Sequence, residues 1–249
     1  MVGIAPGEVS FMWSRFSGAF RASASYGKPG LQVQAALRLL GLALGFYVAA
    51  GLFPSFAAET PVRIVALGDS LTAGFGLPAE AAFPVRLERS LKAKGHAVTI
   101  ENAGVSGDTA SGGLSRLDWS VPDGTDAVIV ELGANDALRG IDPKVTRGAL
   151  EKIVQRLKER GIAVLLAGMR APPNMGAEYG RAFDAIYGDL ADKYELVLYP
   201  FFLDQVAADR ALNQGDGIHP TAAGVDVIVR EITPRVEELI ARVKAKRGT

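Results

Sequence analysis

The chain is expected to fold as an α/β protein, a three-layer α/β/α sandwich around a mainly parallel five-stranded sheet. Three observations predict this. From residue 62 onward strand-like and helix-like segments alternate, and such alternation sets successive strands parallel with helices packed on both faces. The segment AVIVELG (127–133) is a near-continuous apolar run, the pattern of a strand buried on both sides. Polar residues gather where the strands end, at 68–70, 104–108, 133–136 and 214–220. In open α/β sheets the ligand crevice lies outside the carboxyl ends of the strands, so those four stretches are where a site belongs.

The elements follow in order. VRIVAL (62–67) reads as a strand, and FPVRLERSLKAKG (83–95) as an amphipathic helix closing at Gly95. AVTIENA (97–103) is the second strand, TASGGLSRLDW (109–119) a short helix, and residues 127–133 the third strand. A helix follows over 143–161, opened by Pro143 and closed by Gly161, the usual placement of these two residues. IAVLLAGM (162–169) is a fourth strand, 178–194 a long helix, LVLYPFF (196–202) a fifth strand, and 221–246 a last helix interrupted near Pro234. No repeat or low-complexity linker divides this region.

The 57 residues ahead of it differ in character. Arg15, Arg21, Lys28 and Arg38 stand against one acid, Glu8, and are followed by the charge-free run 39–58. A basic lead, an apolar stretch and a small-residue exit describe a secretory signal, with Ser55 and Ala57 at the −3 and −1 positions of a cut after Ala57. Residues 1–57 are therefore expected to be a signal peptide with a basic extension, Met1 or Met12 being the start. The domain at 58–249 is expected in the periplasm or secreted, with no stable membrane partner. The alternative is an anchor, since about 20 apolar residues span a bilayer, but Gly41, Gly45, Gly51 and Pro54 break the run.

The chain has 249 residues, a formal net charge of +0 and no cysteine. Disulfides, thiolate metal sites and cysteine nucleophiles are thus excluded, and nothing points to nucleic acid. With two histidines, His96 and His219, a histidine-rich metal site is not expected; neither is a cofactor. A phosphate-binding reading of Gly68, Gly74 and Gly76 lacks the lysine that G-x-x-x-x-G-K requires.

Ser70, in VALGDSLTAGFG, has small neighbours that leave a hydroxyl uncrowded. Alone it reads as a helix N-cap sooner than as a nucleophile, and the G-x-S-x-G elbow is absent because Thr72 follows where glycine belongs. A serine nucleophile needs a base, usually histidine. His96 lies between a helix and a strand start, at the opposite end of the sheet. His219, in GDGIHPTAAG, is the remaining choice, and Asp216 three residues earlier is placed to hold one ring nitrogen. Acyl transfer also needs donors aimed at a developing oxyanion. Gly107 and Asn135 both follow strands; each reads as a turn residue or as such a donor, Gly107 because it lacks a Cβ. Asp69, Asp108 and Asp136 read as loop-anchoring carboxylates. Leu71, Phe75 and Leu138, with Leu77, Ile141 and Met169 nearby, favour an apolar acyl slot, and Pro172 and Pro173 stiffen one wall.

The ordered blocks GDSLTAGFG, NAGVSGDT, GANDALRG and DGIHP resemble the GDSL or SGNH hydrolase family over most of residues 62–243. The resemblance is greatest to its secreted bacterial arylesterase, acyl-CoA thioesterase I and lysophospholipase L1 group. It implies a flavodoxin-like fold, a Ser70–His219–Asp216 triad, and an oxyanion hole from the Ser70 and Gly107 backbones and the Asn135 amide. The substrate it implies is a small acyl ester or thioester. A carbohydrate O-acetyl esterase, with a polar open cleft, is the alternative.

Overall fold

The computed structural model describes residues 30–49 and 60–248. The chain divides into two units, residues 1–57 and 58–249. In the first, helix α1 spans Leu31–Ala49. Among the described residues no helix is long and apolar enough to cross a membrane. The expected cut after Ala57 lies outside the described residues.

The second unit is built on strands β1 (Val62–Gly68), β2 (Val98–Gly104), β3 (Ala127–Glu131), β4 (Ala163–Ala167) and β5 (Val197–Tyr199). All pairings are parallel, in the order β2-β1-β3-β4-β5. Strand order reverses direction between β1 and β3, the switch point at which such sheets open a crevice. Register sharpens this: Gly68 lies level with Gly104 on β2 and Glu131 on β3. The residues that follow those three leave the sheet side by side.

Helices α3 (Phe83–Ala93) and α9 (Ala222–Arg247) cover one face. Helices α4 (Ala110–Ser115), α7 (Pro143–Glu159) and α8 (Ala177–Tyr194) cover the other. Every residue of β3 is buried, Glu131 included, in keeping with its near-continuous apolar run.

Four differences from the sequence reading have local causes. Two short helices were not expected, α2 (Ser70–Ala73) and α6 (Ala134–Leu138); four or five residues are too few to show a 3.6-residue period. The helix expected over 109–119 breaks at Arg116 (φ −105°, ψ 5°) into α4 and α5 (Leu117–Ser120). Strand β5 stops at Tyr199 because Pro200 has no N–H for the ladder. Helix α9, in contrast, runs unbroken through Pro234. That proline leaves the Arg230 carbonyl without its helical donor, but Ile232, Val236, Leu239 and Ile240 are buried around it, and tertiary packing holds the helix.

Candidate active site

Ser70 is the first residue of α2, directly beyond β1. The Asp69 carboxylate caps that helix, its Oδ1 accepting the Leu71 N–H at 2.9 Å. The turn is tight enough that a Cβ on Gly68 would come within 2.1 Å of Thr72 Oγ1 and 2.7 Å of Glu131 Oε2, which is why the residue before Asp69 is glycine.

The histidine arrives from the loop before α9. Asp216 Oδ1 accepts the N–H groups of Ile218 (2.9 Å) and His219 (3.0 Å), and its Oδ2 lies 2.7 Å from His219 Nδ1. The backbone N–H of His219, its ring and the Ile218 N–H hold the Asp216 carboxyl well below the usual carboxylate range. An ionised carboxylate only accepts, so Nδ1 carries a proton, and in the neutral ring Nε2 is then the acceptor. Ser70 Oγ lies 2.9 Å from that Nε2 and donates to it. The Phe75 ring lies over the imidazole, centroids 4.5 Å apart. Gln214 fixes this stack, its Nε2 donating to the carbonyls of Phe75 (2.7 Å) and Pro220 (2.9 Å).

N–H donors also follow the ends of β1, β2 and β3. Among the described residues no acceptor takes the backbone N–H of Ser70 or of Gly107. Gly107 has φ +86° with nothing closer than 3.6 Å to a hypothetical Cβ, so backbone conformation rather than space demands glycine. Arg139 donates to the Gly107 carbonyl at 2.8 Å, which orients that peptide. Asn135 is the second residue of α6; its Nδ2 donates to Asp69 Oδ2 at 3.0 Å, which uses one of the two N–H groups on that nitrogen.

Of the residues expected at the site, hydrogen bonds join Ser70, His219 and Asp216, Asn135 is bonded to Asp69, the residue before Ser70, and Phe75 stacks on the histidine. Phe75 and Leu138 are half exposed, at 50% and 51%, and are available to an acyl chain. Leu71 is corrected: at 6% exposure it belongs to the hydrophobic core rather than to an open slot, because α2 turns it inward under the nucleophile. Met169 is likewise buried. His96 stays apart, paired with Glu237 of α9. The three aspartates do anchor loops: Asp108 pairs with Arg116, and Asp136 accepts from Ala110 N (2.8 Å) and Thr146 Oγ1 (3.0 Å).

Sequence reasoning missed the links between these parts. Nothing in the pattern joins Asp69 to Asn135, Gln214 to Phe75, or Arg139 to Gly107. It also missed Glu131, fully buried at the end of β3 and accepting from Thr72 Oγ1 at 2.8 Å. Burial and the adjacent Asp69 charge push Glu131 well above the usual carboxylate range. Burial also raises Asp69, to about 6, against the lowering effect of its Leu71 and Asn135 hydrogen bonds.

A parallel sheet presenting a serine, an imidazole, a carboxylate and unpaired N–H donors at its switch point defines a serine hydrolase suited to acyl transfer. The GDSL-like lipase/acylhydrolase family model matches residues 66–227, and the chain belongs to that family. It is 37% identical over 211 residues to an arylesterase of Vibrio mimicus, covering 84% of this chain and 98% of that protein. It is also 37% identical to thioesterase 1/protease 1/lysophospholipase L1 of Escherichia coli, over 75% of this chain and 88% of that one. Among solved structures, AlinE4, an SGNH-hydrolase family esterase, is 47% identical and superposes with a TM-score of 0.61 over 72% of this chain and 96% of its own. The protein is a serine ester hydrolase of this kind.

Proposed function

We propose that the protein hydrolyses carboxylic esters and thioesters through an acyl-enzyme on Ser70. His219 takes the Ser70 proton as Oγ attacks the acyl carbonyl, and the N–H groups of Ser70, Gly107 and Asn135 receive the oxyanion. The imidazolium, held by Asp216, gives its proton to the departing alcohol or thiol. The same imidazole then activates water, which releases the acid. The observation that carries this reading is the continuous Asp216–His219–Ser70 relay, at 2.7 and 2.9 Å, beside N–H donors unused within the fold.

Short to medium acyl chains and aryl or thiol leaving groups fit best. Phe75 and Leu138 offer apolar contact to the acyl part, worth about 0.8 kcal/mol per methylene buried, or up to about fourfold in kcat/KM. The arylesterase and thioesterase relatives support the same choice. A p-nitrophenyl ester series run beside acyl-CoAs, lysophospholipids and acetylated xylan tests it. An acetyl-only preference with high activity on the sugar would favour the carbohydrate esterase instead.

The site of action proposed is the periplasm or the exterior, residues 1–57 serving as a signal removed after Ala57. The basic lead, the charge-free run and the Ser55–Ala57 exit support this. N-terminal sequencing of exported protein tests it; an intact 39–58 segment in the membrane fraction contradicts it.

A further inference from the structure

The break between α4 and α5 has a chemical reason. Arg116, only 6% exposed, turns its side chain inward toward the ends of β1 and β2. Its guanidinium makes four hydrogen bonds: Nε to Asp108 Oδ2 at 2.5 Å, Nη1 to the Ala103 carbonyl at 2.8 Å and to Ser120 Oγ at 3.0 Å, and Nη2 to the Gly68 carbonyl at 2.8 Å. Three of these acceptors share one property. Gly68 is two residues before Ser70, Ala103 is four before Gly107, and Asp108 directly follows Gly107. One rigid planar group is therefore bonded to both backbone segments that deliver the unpaired N–H groups. The Gly68 carbonyl also accepts the Val105 N–H at 3.0 Å, so the two segments meet at that oxygen.

We infer that Arg116 is the positioning residue of the oxyanion hole, holding the Ser70 and Gly107 N–H groups in mutual register through Gly68, Ala103 and Asp108. The inference rests on the proposed acyl-transfer role of those two donors. A buried ion pair is a poor device for stability alone, since apolar residues of similar volume do as well or better. The fixed fork of guanidinium donors is, however, suited to orienting several carbonyls at once. Arg116 makes no hydrogen bond to Ser70, His219 or Asn135, so it acts on the donors through the backbone it holds. A lysine at this position has one nitrogen and cannot reach both carbonyls and Asp108 in that plane.

The test compares Arg116→Lys, Asp108→Asn and Asn135→Ala in kcat, KM, pH profile and melting temperature. Arg116→Lys is expected to fold and to lose about 10- to 100-fold in kcat, somewhat less than removal of a whole donor, with KM within about twofold and the pH profile of kcat/KM unmoved. Asp108→Asn, which keeps volume and turns the charge-assisted bond to Arg116 Nε into a weaker neutral one, is expected to lose up to about tenfold in kcat by the same route, and decides the matter if Arg116→Lys does not fold. Unchanged kcat in the folded variants overturns the inference. So does a kcat loss that vanishes well below the melting temperature, which marks a folding role. If Asn135→Ala loses activity while the other two do not, only the Arg116 inference fails; if none of the three does, the oxyanion hole itself is wrongly placed.

Discussion

Replacing Asp69 with asparagine should make the protein more stable and less active at once. The carboxylate is fully buried, and burial is the main cause of its rise from an ordinary 3.8 to about 6. At about 1.4 kcal/mol per pH unit, that separation is about 3 kcal/mol of penalty for holding the charge in the folded state. Because the folded-state value lies above the unfolded one, the native chain keeps a proton that the unfolded chain has lost between about pH 4 and pH 6. Wild-type stability therefore falls as pH rises through that window, with the full penalty above it and none below it. The amide in Asp69→Asn has no charge to desolvate. It can still cap Leu71 through its oxygen, but its nitrogen then faces Asn135 Nδ2, donor against donor, a loss of about 1–1.5 kcal/mol. The net gain at about pH 8 is on the order of 1–2 kcal/mol, a few degrees in melting temperature for a domain of this size. Catalysis pays, since Asn135 loses the acceptor that orients its amide, and kcat should fall by about 10- to 100-fold. Thermal melts of both proteins at about pH 4 and about pH 8, with ester hydrolysis at the higher pH, check both halves. A stability difference that is the same at both pH values, or full activity in the variant, refutes the reasoning.

Further outcomes follow from the same geometry. Ser70→Ala and His219→Ala should each lose about 10⁴- to 10⁶-fold in turnover, and the double variant scarcely more, because the pair acts as a unit; His96→Ala should leave steady-state kinetics unchanged. Leu71→Ala should lower stability by about 2–5 kcal/mol in denaturant titration, as a core truncation does, whereas Leu138→Ala should leave stability within about 0.5 kcal/mol and flatten the acyl-chain-length series. Gly107→Ala should lower both kcat and melting temperature, because φ +86° strains any residue with a Cβ by about 1 kcal/mol or more.

Much of this was legible in the sequence because it is periodic or local. Strands β1, β3 and β4 are mainly apolar runs ended by glycine or a polar residue, and helix α7 carries Pro143 at its start and Gly161 just past its end. The Asp216–His219 pair was legible because only two residues lie between its members, and the turn that joins them makes its own hydrogen bonds. What escaped is long-range and polar. Asp69 and Asn135 are 66 positions apart, and Arg116 and Gly68 48. No period marks a buried arginine, so Arg116 looked like a residue of a continuous helix although its inward turn ends α4. Leu71 was misplaced because an apolar residue next to a nucleophile has the same letter whether it lines the slot or supports it. Pro234 misled in the opposite direction, a strong local signal overridden by the buried face around it.

The central claim is that an acyl group passes through Ser70 with His219 as its base. Its most direct test is rapid quenching during turnover of a p-nitrophenyl ester, followed by peptide mass mapping. The account predicts a burst of nitrophenol stoichiometric with enzyme and a single acyl increment on the peptide holding Ser70, absent in Ser70→Ala and in His219→Ala. An acyl adduct on another residue, or full turnover with no adduct at all, would contradict it.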